Sequence, residues 1–109
     1  MIRVNVACNE DQKITGYTMK GHSFQGEPGS DIVCASASTL GLATLNTLTD
    51  VCDLEDKIDY EYGEGLIAVS IDYESLSSQE RRDVNIVLEG FRLNIESLVD
   101  QYPDNISLT

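Results

Sequence analysis

Apolar and polar positions alternate from the first residues of the chain. Ile2, Val4, Val6 and Cys8 interleave with Arg3, Asn5 and Ala7, a period of two that predicts a strand with one buried face. Cys8 shares that apolar face and is expected to be a buried, inert thiol. The polar run Asn9-Glu10-Asp11-Gln12 predicts a turn, and Ile14 to Lys20 a second strand with Thr15, Tyr17 and Met19 on one face. A hairpin is the economical pairing of the two. Gly16 inside the second strand points to a bulge or to close approach of another backbone.

The period then changes. Val33, Ala37, Leu40, Thr44, Leu48 and Val51 recur at three- and four-residue steps and predict a helix over about residues 31–50. Asp31 is the expected N-cap, with Ser30 as the competing cap, and Cys34 is expected in the first turn. Small residues fill the remaining positions, which implies close packing on more than one side. Cys52 falls at the helix end and reads as structural.

Alternation returns twice. Ile58, Tyr60 and Tyr62, then Ile67, Val69, Ile71 and Tyr73, predict two strands joined at Gly63-Glu64-Gly65. Ser77 and Glu80 have the spacing of a capping box. Beyond them Val84, Val87, Leu88, Phe91, Ile95, Leu98 and Tyr102 form a helical stripe, so a long amphipathic helix is expected over 78–101, stopped by Pro103. Ile86 and Leu93 lie off this stripe. The favoured reading is that they widen the core face; the alternative is contact with a partner subunit. Ile106 and Leu108 predict a short terminal strand.

The predicted order is β-β-α-β-β-α, an α+β plan in which an antiparallel or mixed sheet packs with two helices. A length of 109 residues suits a single domain spanning 1–109.

Composition narrows the function. Nineteen acidic residues against seven basic ones give a net charge of −12. Such a field repels phosphate backbones and argues against nucleic acid, while attracting a basic partner. Residues 32–49 carry no charge for 18 positions, close to the length of a membrane span. Four Thr, two Ser and Asn46 within that run favour a buried helix instead, with no membrane partner. The N-terminal alternation is not that of a signal peptide. Three cysteines without a CxxC fit neither a disulfide framework nor a zinc cage, and reduced thiols in a cytoplasmic protein fit best. One histidine leaves no common metal site, and no phosphate-binding glycine motif precedes a helix, so no cofactor is expected.

Chemistry concentrates in Gly21 to Ser36. His22 and Cys34 flank residues 23–30, where Gly26, Pro28 and Gly29 exclude regular structure. A thiol at a helix start faces unpaired N–H groups and the positive end of the dipole, both of which favour the nucleophilic thiolate. Packing is the competing role for Cys34, as a surface or capping position is for His22. As a pair, a neutral imidazole takes the thiol proton and then protonates the leaving amine. The N–H groups around Cys34 and Ala35 are the nearest candidates to hold the oxyanion. Asp31 either caps the helix or orients His22, and Ser38, one turn beyond Cys34, either hydrogen-bonds near the site or is a plain helical serine. Phe24 either anchors the loop in the core or covers bound substrate.

Gly21-His22, a glycine-containing spacer, and Gly29-Ser30-Asp31-Ile32-Val33-Cys34-Ala35-Ser36-Ala37-Ser38 together resemble the ribosomal processing cysteine protease (Prp) family. The likeness covers nearly the whole chain. Ser23 stands where the family usually has alanine, and Ala35-Ser36-Ala37-Ser38 where it commonly has Ala-Ala-Val-Ser. The resemblance implies a cytoplasmic cysteine endopeptidase, homodimeric, that removes an N-terminal extension from large-subunit ribosomal protein twenty-seven. It carries Cys34 over as nucleophile and His22 as general base. Residues 23–30, with Phe24, Gly26 and Gly29, become a gate that rearranges to admit substrate. Asp31 and Ser38 match motif positions as possible supporting residues. The rival function is a non-catalytic acidic adaptor for a basic ribosomal peptide.

Overall fold

The computed structural model describes residues 1–21 and 30–109, with the side chains of residues 30 and 31 excepted. The order is β1 (Ile2–Cys8), β2 (Ile14–Lys20), α1 (Ser30–Asn46), β3 (Ile58–Gly63), β4 (Leu66–Ile71), α2 (Ser78–Gln101) and β5 (Ile106–Leu108). The strands form one sheet in the order β3-β4-β2-β1-β5. All pairings are antiparallel except β1 with β5, so the sheet is mixed and the expected α+β plan holds. Both predicted hairpins form, and Ile106 to Leu108 makes the terminal strand.

The two helices contact each other, α1 also packs on β4, and α2 on β2 and β5. Between helices and sheet lies a core that includes Val4, Tyr17, Val33, Leu48, Val84, Leu88 and Ile95. Helix and sheet approach closely where α1 carries Gly41. A Cβ there would stand 2.5 Å from Met19 Sδ and 2.9 Å from Ile67 Cδ1, well inside contact distance. Tyr17 crosses the same gap and donates its hydroxyl hydrogen bond to the Gly41 carbonyl at 2.8 Å. Segment Ile32–Val51 has a mean hydropathy of 1.3 and the length to cross a membrane. Here Val33, Ala37, Leu45 and Leu48 of that segment are buried in the core.

Several expectations are corrected. Both readings of Gly16 apply. The register shifts between Ala7 and Cys8, which pair with Gly16 and Ile14, leaving Thr15 as the extra residue of a bulge. A Cβ on Gly16 would also collide with the Val69 carbonyl. The bulge lets Ile14, Tyr17 and Met19 all face the core despite their spacing, while Thr15 is only half-buried. Cys8 is exposed, not buried. Strand parity puts it on the apolar face, but burial along β1 fades after Val4.

The helical path after Asn46 continues as a turn of π-helix, Thr47–Val51, with Cys52 N–H donating to Thr47 C=O at 2.9 Å. The wider turn shifts the helical phase, and Val51 of the predicted stripe is 79% exposed. Tyr73 lies in a short 3₁₀ turn after β4 and not in the strand, yet its ring stays buried. Ile86 and Leu93 are 62% and 64% exposed, so they do not widen the core face. α2 keeps its predicted bounds and its capping box.

Candidate active site

Helix α1 starts at Ser30, so Asp31 is its second residue and Cys34 its fifth. Cys34 is thus just past the first turn, where its N–H and that of Ala35 join the helix's own ladder. The amides without an intrahelical partner belong to residues 30–32. The Cα–Cβ bond of a helical residue tilts toward the N-terminus, so the Cys34 side chain leans toward those amides.

Cys34 is half-buried and lines a cavity of about 110 Å³ between the start of α1 and the sheet. Ala37 and Ser38 continue the helical wall. Ile2, Met19 and Ile67 supply an apolar floor, and Tyr62, Gly63 and Gly65 close the side formed by the β3–β4 hairpin. Gly21 is also on this wall. Its φ of 104° lies in the region open to glycine, and a Cβ would stand 2.5 Å from the Met1 carbonyl oxygen. Its N–H donates to the Gly65 carbonyl at 3.1 Å, so the hairpin turn fixes the end of β2.

Among the sequence candidates, the structure therefore brings Cys34 and Ser38 to one cavity. His22, Phe24, Gly26 and Gly29 lie outside the described residues, as does the side chain of Asp31. The other two thiols sit elsewhere. Cys8 is exposed at the opposite end of β1 from Ile2, which touches the cavity. Burial first, and then the Asp83 carboxylate, push the Cys52 thiol up, which disfavours its thiolate.

Sequence reasoning missed Tyr62. It is 61% exposed and borders the cavity, while Tyr60 beside it is 41% exposed. Their rings stack at a centroid distance of 6.3 Å. Two tyrosines of equal parity leading into a Gly-Glu-Gly turn carry the signal, but alternation alone marked them only as part of a strand.

The sequence matches the family described as "Cysteine protease Prp" over residues 1–107. The match makes the class plain: the chain is a cysteine protease. Within that class it belongs to the Prp family. The ribosomal processing cysteine protease Prp of Staphylococcus aureus is 28% identical over 109 residues, covering 99% of this chain and 97% of its own. The fold is close to that of an essential ribosomal processing protease Prp from S. aureus in complex with a substrate peptide. The TM-score is 0.81 at 24% identity, covering 100% of this chain and 98% of that one. The S. aureus protein with a covalently linked product peptide gives a TM-score of 0.78 at 26% identity, with the same coverage.

Proposed function

We propose that this chain is a cytoplasmic, homodimeric cysteine endopeptidase, a single protease domain over residues 1–109. Its substrate is the N-terminal extension of large-subunit ribosomal protein twenty-seven. Cys34 acts as nucleophile and His22 as general base. The observation that carries this reading is that Cys34 and Gly21, the chain neighbour of His22, line the same cavity. The similarity to a ribosomal processing cysteine protease, and a related structure holding a covalently linked product peptide, support it.

The reaction follows from the groups involved. The His22 imidazole takes the Cys34 proton, and the thiolate attacks the scissile carbonyl carbon. The resulting oxyanion needs N–H donors, and the amides of residues 30–32 at the start of α1, which have no intrahelical partner, are the supply toward which Cys34 leans. Collapse forms a thioester and breaks the C–N bond, with His22 returning its proton to the leaving amine. Water activated by His22 then hydrolyses the thioester. Asp31, three residues before Cys34, is assigned to orient His22, and Ser38 to hydrogen-bond along the cavity wall. Phe24, Gly26 and Gly29 belong to the substrate gate. Ile86 and Leu93, exposed on α2, are apolar residues available for the dimer contact.

Incubation with a peptide spanning the extension, read by mass spectrometry, tests this. The expected result is two products from one cut. A peptide that binds but stays intact after long incubation overturns the proposal in favour of an acidic adaptor.

A further inference from the structure

Strand β3 forms one edge of the sheet, and among the described residues no strand pairs with its outer side. Its polarity can be read from the hairpin. The Asp72 N–H donates to the Lys57 carbonyl at 2.9 Å, which marks 57 and 72 as a bonded pair. Bonded pairs alternate along an antiparallel ladder. With the register Asp59↔Ser70 and Glu61↔Ala68, residues 59 and 61 therefore turn their N–H and C=O groups inward to β4. Tyr60 and Tyr62 turn theirs outward. The Ile58 N–H is taken by the Glu55 carbonyl, so the open donors of this edge are those of Tyr60 and Tyr62.

Edge strands are ordinarily blunted by lysine, proline or a bulge. β3 has none of these. It carries Asp59 and Glu61 on its outer face, with Glu64 in the turn. Two copies pairing through β3 would set these carboxylates against each other, which costs free energy. A strand bearing basic side chains meets no such cost.

The two faces of β3 also differ. On the inner face Tyr62 borders the cavity that contains Cys34, and the Tyr60 ring stacks beside it. On the outer face a groove of about 340 Å³ is lined by Thr18, Asp59, Tyr60, Glu61 and Ser70, among others. The nearby cation Lys57 is engaged by Glu80 at 3.0 Å, and Tyr60 donates its hydroxyl hydrogen bond to Glu55 at 2.9 Å.

We infer that β3 is the docking edge for the peptide substrate, which binds as an added strand with apolar side chains over Tyr60 and Tyr62 and basic ones beside Asp59 and Glu61. This rests on the proteolytic reading above and names how that site takes its substrate. Main-chain bonds to Tyr60 and Tyr62 hold an extended segment whatever its sequence, and the two faces select alternating apolar and basic residues. At about 3.4 Å per residue, β3 accommodates roughly five substrate residues. The Tyr62 end of the strand delivers the chain to the cavity of Cys34.

The test uses the full chain carrying Cys34→Ala, with the extension peptide as probe, and amide hydrogen exchange followed by NMR. Saturating peptide is expected to slow exchange at Tyr60 and Tyr62 by at least about tenfold, while the inward amides of Asp59 and Glu61 stay unchanged. The double variant Asp59→Lys, Glu61→Lys is expected to weaken peptide binding by about tenfold at low salt. A peptide whose basic residues are changed to glutamate should recover binding to that variant. Unchanged exchange at Tyr60 and Tyr62 on a peptide that wild type cleaves overturns the docking edge and leaves the protease standing. Protection of the two tyrosines by a peptide that wild type never cleaves upholds the edge and removes the extension as the substrate. A peptide that neither binds nor is cut overturns both the docking edge and the extension as the substrate.

Discussion

Tyr17 joins the two layers of the molecule through a single side chain. Its ring is 1% exposed, lies 4.2 Å from that of Phe91 between centroids, and its hydroxyl donates to the Gly41 carbonyl of α1. Tyr17→Phe removes the donor and keeps the ring, at a cost of about 1 kcal/mol, or roughly 5 °C in Tm. Burial pushes the phenol well above its ordinary value of 10.0. The unfolded chain therefore releases this proton first as pH rises, and the contribution, complete below about pH 10, declines above it. Urea unfolding at pH 9 and pH 11 checks the sign. Wild type should lose more stability over that interval than Tyr17→Phe; equal losses would mean that Tyr17 does not stay neutral in the fold.

Among the elements, α2 was the most legible in sequence, because its stripe, its cap and its terminator agree. Ser77 accepts from the Glu80 N–H at 3.2 Å, and Glu80 accepts from the Ser77 N–H at 2.8 Å and from Lys57. Ser77→Ala should cost about 1 kcal/mol, read from denaturant midpoints by circular dichroism. The Ser77 N–H, and then Lys57, hold the Glu80 carboxyl below its usual value of 4.5. Its contribution is present above that value and is lost as pH falls below it. Glu80→Gln should accordingly show a shallower loss of stability between pH 5 and pH 3 than wild type. Where sequence reading failed, periodicity was right and context was missing. Parity placed Cys8 on the apolar face, but it cannot report that burial fades along β1. A 3.6-residue period carried Val51 into the stripe, but a π turn changed the phase. The same limit hid Tyr62, whose inward parity at a sheet edge leads to the Cys34 cavity. Cys34 stood out in sequence because it follows a glycine-rich segment at a helix start, and it lines the cavity; its proposed partner His22 lies outside the described residues. The floor of the cavity was not legible, since Ile2, Met19 and Ile67 come from three strands whose meeting depends on sheet order.

The whole molecule carries a net charge of −12, and this bears on encounter more than on chemistry. A basic peptide is drawn toward such a surface, and salt weakens the attraction because the screening length is about 10 Å at 0.1 M. Raising salt from 50 to 500 mM should lower kcat/KM for the extension peptide by about tenfold, chiefly through KM. A salt-independent kcat/KM would show that the acidic surface serves solubility alone.

On the proposed mechanism the Cys34 thiol, activated by His22, cuts the peptide. The most direct measurement is product formation from the extension peptide by wild type, Cys34→Ala and His22→Ala, compared as kcat/KM with folding verified by circular dichroism. Wild type should cut once, and each variant should lose at least about a thousandfold. Cleavage by either variant at the wild-type rate would contradict that mechanism.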